Sequence, residues 1–232
     1  MCRLRVALFF IALFLLPISW AGQTPVSHTY GKFRGHLRLE PTGDGVNMKV
    51  LERFSYIDTE RRSLEAAPGF KTDGASIPRI LWTPIGSPFT GKYVKAAVIH
   101  DVGCVTHKYT WQETHRMFYE AMIDSGVDDK YAKLLYFGVR FGGPRWSLKT
   151  AEARTLDDLK DEIRDGIIVG NIEKKTTPAL GGGVTYFAHF YVPLSSHTLT
   201  EQEIQEFQDE LDGRSLSGTA MTLTEIDART EN

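Results

Sequence analysis

Three of the seven histidines, His100, His107 and His115, fall close together around the turn between two predicted helices. His100 lies about one turn before the end of the first helix, and His115 lies about one turn after the start of the second. In an antiparallel pair of helices, these positions bring the two imidazoles to the same level. We therefore expect His100 and His115 to face each other, and we place His107 in an exposed loop.

The residues next to this histidine pair make it a stronger candidate for a catalytic or metal-binding site. Asp101 follows His100 directly, and Cys104 lies one turn later on the same helix face. An imidazole beside a carboxylate, opposite a second imidazole and close to a thiol, suits either activation of water or metal binding. We assign His100, Asp101 and His115 as catalytic candidates, and these three with Cys104 as ligands of zinc or calcium. The alternative is that the histidines and the thiol only pack and form hydrogen bonds.

A glycine-containing loop before the helices carries the remaining candidates. Asp73 and Arg79 lie in the segment Thr72–Arg79, where glycine and a residue before proline favour a loop. A rigid scaffold presents functional side chains on such loops, so we assign both residues to substrate binding. Asp73 has an alternative role as the carboxylate of a turn or a helix cap. For Arg79 and Arg140, ion pairing or carbonyl binding is a further interpretation.

Three helices form the centre of the predicted fold. Apolar residues at helical spacing predict the first helix over Tyr93–Val105. The sequence TWQE is typical of a capping box, and it predicts a second helix from Thr110 to Asp124. Asp128 caps a third helix that ends at Phe141, where Gly-Gly-Pro follows as a stop signal.

Strands and a further helix surround these three helices. The alternation over Phe33–Leu39 and Met48–Tyr56, with turn residues at 41–45 between them, predicts a β-hairpin, followed by a strand over 64–71. A charged helix over 155–164, a strand over Val184–Val192 and a helix from Thr200 to about Leu211 follow. The predicted class is α+β: an N-terminal antiparallel hairpin or small sheet packed on the three-helix bundle, with a C-terminal strand and helix.

The N-terminus has the pattern of a secretory signal peptide. Two arginines precede an apolar run over Val6–Leu16, and small residues flank Trp20 before Gly22. We therefore predict a signal peptide over 1–21, a single domain over 22–195 with a central segment at 68–146, and a C-terminal helix with a frayed polar tail over 196–232. If the leader stays uncleaved, it provides the only membrane contact that we expect.

Removal of the leader changes the charge and the cysteine count. The whole chain has 27 basic and 29 acidic residues, for a net charge of −2. Loss of Arg3 and Arg5 leaves 25 against 29, or −4, so we expect no nucleic-acid partner. Cys104 is then the only cysteine, which excludes an intramolecular disulfide. A periplasmic or secreted location is the corresponding expectation.

Four segments resemble successive motifs of a phage and bacterial family, domain of unknown function 1353. They are Phe70–Arg79 (FKTDGASIPR), Ala96–Asp101 (AAVIHD), Phe118–Met122 (FYEAM) and Val139–Trp146 (VRFGGPRW). The resemblance covers about the middle third of the chain. It implies no mechanism, because no activity is established for the family.

The segment His100-Asp101-Val102-Gly103 is also distantly similar to the helix core of phospholipases A2. That likeness implies that His100 is the base and that Asp101 is a calcium ligand. The sequence departs from that pattern, because His115 stands where a carboxylate is expected and Cys104 where an aromatic residue is expected. No calcium loop precedes the helix. Histidine and cysteine, the residue types at positions 115 and 104, are typical zinc ligands.

Two functions follow from these observations. The first is an exported, metal-assisted hydrolase that acts on a cell-envelope component, either a phospholipid ester or a peptidoglycan peptide. The second is a non-catalytic periplasmic binding or accessory protein derived from a phage module. Metal content separates the two, because only the first requires an ion at the histidine pair.

Overall fold

The computed structural model describes residues 30–74, 81, 91–164, 166–168, 172–176 and 183–230. The predicted signal peptide over 1–21 and the substrate-binding candidate Arg79 lie outside these described residues. Among the described residues, no helix is long and apolar enough to cross a membrane.

The three central helices are confirmed at almost the predicted boundaries. They are α1 (Val94–Thr106), α2 (Trp111–Asp124) and α3 (Asp129–Gly142). Thr110 accepts a hydrogen bond from the backbone N–H of Glu113, whose carboxylate accepts one from the N–H of Thr110 at 3.0 Å. This capping box starts α2, and the Asp128 side chain caps α3 in a similar way.

The N-terminal strands form two small antiparallel sheets, where the sequence predicts one hairpin and one further strand. The strands are β1 (Gly31–Arg34), β2 (Leu39–Pro41), β3 (Met48–Val50), β4 (Phe54–Asp58), β5 (Ser63–Ala66) and β6 (Lys71–Thr72). One sheet has the order β1-β4-β5 and the other has the order β2-β3-β6. Gly35, with a φ of 81°, turns the chain between β1 and β2 and so divides the first predicted strand.

A third sheet follows α3 directly. Strand β7 (Arg145–Ala153) pairs antiparallel with β10 (Val184–Leu194), which also pairs with β8 (Ile167–Ile168) and β9 (Glu173–Thr176). Helix α4 (Leu156–Glu162) lies between β7 and β8 in the chain. The strand β10 and the helix α4 were predicted from the sequence, whereas no strand was predicted where β7 lies. Five buried residues form a separate small core here: Ala151, Leu159, Ile163, Ala188 and Phe190.

The C-terminal segment contains two helices, whereas the sequence predicts one helix and a frayed polar tail over 196–232. It forms α5 (Glu201–Leu216) and α6 (Leu223–Thr230). Phe207 of α5 stacks on Phe137 of α3 with ring centroids 4.0 Å apart, and Ile226 of α6 is fully buried. The polar residues of this segment lie mostly on its outer face, while a few spaced apolar residues pack into the main core. The α+β class is confirmed.

Candidate functional site

The helices α1 and α2 approach each other closely where the candidate residues lie. A Cβ atom on Gly103 would stand 2.4 Å from Cγ2 of Thr114, a distance at which one of the helices must move. The absence of a side chain at Gly103 therefore sets the separation of the two helices. This separation brings His100 of α1 against His115 of α2.

The two histidines face each other, as the helical spacing predicts. Nε2 of His100 lies 2.7 Å from Nδ1 of His115, and the two side chains are 1% and 0% exposed. Nε2 of His115 lies 3.1 Å from the carbonyl oxygen of Pro144. Because a carbonyl only accepts, Nε2 of His115 carries a proton and its Nδ1 accepts from His100. In this tautomer, Nδ1 of neutral His100 is a hydrogen-bond acceptor, and Sγ of Cys104 lies 3.9 Å from it.

Cys104 completes a group of three potential metal ligands. Its Sγ lies 3.9 Å from Nδ1 and 3.7 Å from Nε2 of His100. One ligand atom from each of His100, Cys104 and His115 falls within 4.8 Å of the others. The two histidines are buried and Cys104 is half-buried, so the thiol is the most exposed member of the group.

Burial keeps both imidazoles neutral near pH 7. Desolvation lowers the pKa of His100 to about 3. The pKa of His115 is also well below its ordinary value, first because of burial and then because of the neighbouring His100 and the positive charge of Arg140. Neutral imidazole is the form that can bind a metal ion, so both rings have the charge state that metal binding requires near pH 7.

Asp101 lies next to this group but contacts another part of the fold. Its Oδ2 accepts hydrogen bonds from the Thr72 hydroxyl and, at 3.1 Å, from the N–H of Gly74. The carboxylate is 4% exposed and holds the loop after β6 against α1. Among the described residues, the ligand group of the two histidines and Cys104 does not include Asp101. Asp73 is half-buried in the same loop, and the group does not include it either.

The prediction of an exposed His107 is wrong. This residue is 7% exposed, and its ring stacks on Tyr191 with centroids 3.4 Å apart and an interplanar angle of 19°. The edge of Trp146 lies against the same ring at 4.5 Å. His107 ends α1 with a φ of 48°. Strands β7 and β10 bury it, and the sequence interpretation lacked the first of these strands.

Two arginines and a tryptophan lie near His115. The Trp111 ring packs edge-on against the His115 ring at 5.6 Å. The guanidinium carbons of Arg140 and Arg145 lie 4.6 and 4.7 Å from the Trp111 centroid. Nε of Arg140 pairs with Oδ1 of Asp227 at 3.0 Å, which confirms the predicted ion-pair role of Arg140.

Sequence reasoning missed the roles of Pro144, Trp111, Arg145 and Asp227 around His115. The Gly-Gly-Pro sequence indicates only a helix end, and nothing local marks its carbonyl as a hydrogen-bond acceptor. The two arginines near the end of α3 were a usable signal, since basic residues there commonly bind helix carbonyls. Nη2 of Arg145 indeed donates to the carbonyl oxygen of Arg140 at 2.6 Å.

Comparison with known proteins gives relatives but no activity. Residues 48–139 match the model of a family described as "Protein of unknown function (DUF1353)". Uncharacterized protein y4iH of Sinorhizobium fredii (strain NBRC 101917 / NGR234) is 44% identical over 104 residues, or 45% of this chain and 44% of the relative. Uncharacterized protein y4jT of the same strain is 44% identical over 131 residues, or 54% of this chain and 39% of the relative.

The chain thus matches less than half the length of either relative. No solved structure matches it. His100, Cys104 and His115 all lie inside the matched segment, whereas Pro144, Arg145 and Asp227 follow it. Residues 48–139 therefore match domain of unknown function 1353, the family that the sequence motifs indicate.

Proposed function

We propose that this chain is an exported hydrolase with a zinc site formed by His100, Cys104 and His115. The observation that supports it is the convergence of three ligand atoms within 4.8 Å on one helix pair. Two imidazoles and a thiolate suit zinc, whereas calcium takes oxygen ligands. Zinc is therefore the better candidate of the two ions considered from the sequence.

The distances within the group allow a test of this fit. Tetrahedral zinc with ordinary bond lengths separates its sulfur and nitrogen ligands by roughly 3.5 Å and its two nitrogen ligands by roughly 3.3 Å. The distances of 3.7 and 3.9 Å from Cys104 Sγ to His100 already fit. The 2.7 Å between Nε2 of His100 and Nδ1 of His115 is shorter, so an ion held by these two nitrogens would replace the hydrogen bond between them, and Nε2 of His100 would have to give up its proton.

The residues of the chain then have distinct tasks. A zinc ion with three protein ligands keeps an open position at which it polarises a water molecule or a carbonyl group. His115 donates through Nε2 to Pro144, which fixes its ring and leaves Nδ1 for the ion. Cys104 is the ligand nearest to solvent, so we place substrate access on its side. Asp73 and Arg79 stay predictions for substrate binding.

The proposed substrate is a cell-envelope component, either a phospholipid ester or a peptidoglycan peptide. The support for export is the order of basic, apolar and small residues over 1–21. A mildly acidic mature chain with one thiol fits a periplasmic or secreted location. A phospholipase A2 mechanism with Asp101 on calcium receives no support from the hydrogen bonds of Asp101 to Thr72 and Gly74.

One observation favours a second candidate, a non-catalytic binding or accessory protein. The two imidazoles are buried and satisfy each other, and His115 also satisfies the carbonyl of Pro144. Such a pair needs no ion to account for its burial, since each ring already has a hydrogen-bond partner. In this case the histidines stabilise the helix pair and take no part in chemistry.

Metal content of the full-length exported protein separates the candidates. We expect about one zinc and no calcium per chain, and loss of zinc in His115→Gln and Cys104→Ser. The exposed His189 provides a matched control, and His189→Gln is expected to keep the zinc. Release of fatty acid from phosphatidylglycerol vesicles and of peptide fragments from purified peptidoglycan then tests the reaction, with and without a chelator. A chain that binds no added zinc contradicts the proposal and favours the second candidate.

A further inference from the structure

Helix α6 docks on α3 through charged groups that reach toward the histidine pair. Oδ1 of Asp227 accepts a hydrogen bond from the Tyr136 hydroxyl at 2.6 Å and pairs with Nε of Arg140 at 3.0 Å. Three residues later, the carbonyl oxygen of Thr230 accepts from Nη2 of Arg145 at 3.0 Å. Both arginines near the end of α3 are thus attached to the last described helix.

The same two arginines hold the indole that packs on His115. Their guanidinium carbons lie within 4.7 Å of the Trp111 centroid, and the indole meets the edge of the His115 ring at 5.6 Å. Arg145 also follows Pro144, whose carbonyl accepts from His115. The side chain of Arg145 therefore fixes the backbone next to this acceptor by donating to Arg140 and Thr230.

We propose that helix α6 positions His115: Asp227 acts through Arg140 and Trp111, and Thr230 acts through Arg145 and the adjacent Pro144. The part of this proposal that concerns metal affinity rests on the zinc site of the proposed function. The part that concerns the orientation of the His115 ring stands without a metal. Both Asp227 and Thr230 are positioning residues, since neither lies in the ligand group.

The burial of Arg140 makes this arrangement sensitive to Asp227. Arg140 is 2% exposed, and a buried guanidinium that loses the charge of a carboxylate partner is destabilised. We therefore expect neutralisation of Asp227 to loosen the position of the Arg140 guanidinium over the indole. Trp111 then loses one of its two cationic neighbours, and His115 loses the fixed surface against which its ring lies.

Replacement of Asp227 tests the proposal in the full-length protein. In Asp227→Asn we expect zinc affinity, measured by titration against a competing chelator, to fall about ten- to a hundred-fold, as for other residues that orient a metal ligand. Asp227→Glu keeps the charge and is expected to restore most of the affinity. Asp212→Asn is the matched control, because Asp212 pairs with Lys130 of α3 and does not contact the two arginines.

A second readout follows the His115 ring in the metal-free protein. Long-range proton–nitrogen spectra of the imidazoles should show one Nε2-protonated form of His115 in the wild type and in Asp212→Asn. In Asp227→Asn we expect a second form or exchange broadening at this ring only. Folding alone does not produce this pattern, since the other imidazoles serve as internal references.

The outcomes separate the two proposals. A wild type that binds no zinc refutes the metal site, while the ring spectra still decide whether α6 positions His115. A folded Asp227→Asn with wild-type ring signals and wild-type zinc affinity overturns the positioning role. If Asp227→Asn does not fold, Arg145→Lys takes its place, because lysine keeps the charge but lacks the forked donor. Unchanged ring signals in that variant also overturn the proposal.

Discussion

Acidification should lower the free energy of unfolding of the metal-free protein, because both buried histidines are neutral in the folded state. The folded-state pKa of His100 is about 3, and that of His115 is also well below 6.5, because both rings are buried. In the unfolded chain, each histidine binds a proton below about pH 6.5. Their contribution to stability is therefore complete above pH 6.5 and is lost as the pH falls toward the folded-state values.

The size of the effect follows from the same pKa difference. One pH unit below the unfolded pKa costs about 1.4 kcal/mol, so His100 contributes a loss of about 2 kcal/mol at pH 5. We therefore expect the free energy of unfolding to fall by at least about 2 kcal/mol between pH 7 and pH 5, and His115 adds to this loss in the same direction. Urea unfolding in the presence of a chelator, followed by circular dichroism, measures this difference directly.

Variants isolate the contribution of the pair from that of other groups. His115→Gln keeps a donor for Pro144 but does not titrate, so its loss of stability between pH 7 and pH 5 should be smaller than in the wild type. His189→Gln, at an exposed position, should retain the wild-type loss. An identical pH dependence in the wild type and in His115→Gln would refute the reasoning that burial keeps this ring neutral.

Two further predictions concern the packing that positions the site. In Gly103→Ala, the new methyl group meets Thr114, so we expect the free energy of unfolding in urea to fall by about 1–3 kcal/mol. In the control Gly213→Ala, no neighbouring atom lies within 4 Å of the new methyl group, so the free energy of unfolding should stay the same or rise by up to about 1 kcal/mol. In Phe207→Ala, loss of a buried ring should cost about 3–5 kcal/mol, whereas Leu216→Ala, at a 91% exposed side chain, should stay within about 0.5 kcal/mol. Equal stabilities within either pair would contradict these assignments.

Local signals in the sequence were sufficient for the central helices and for the approach of His100, Cys104 and His115 to one another. Thr110 and Asp128 are caps whose hydrogen bonds reach only two or three residues along the chain, so their effect is visible without the fold. The same holds for His100 and Cys104, which helical spacing alone brings together. The antiparallel return of the chain through a short turn then places His115 opposite His100.

Contacts between distant segments were not predictable in this way. The burial of His107 depends on Tyr191, which lies far along the chain and reaches it only because β10 pairs with β7. The acceptor for His115 is a backbone carbonyl, at Pro144, which carries no distinctive side chain. Asp227 lies in a polar segment whose few apolar residues are too widely spaced to reveal a docked helix. In each case the missing information is the tertiary arrangement.

The main hydrophobic core extends well beyond the segment that matches the family model. This core extends from Val50 to Ile226, and Phe137 of the matched segment is covered by Phe207 of α5. A fragment limited to residues 48–139 would expose that apolar side of α3 to water, and large exposed apolar surfaces promote aggregation. The segment that matches the family model is therefore smaller than the part of the chain that shares one continuous core.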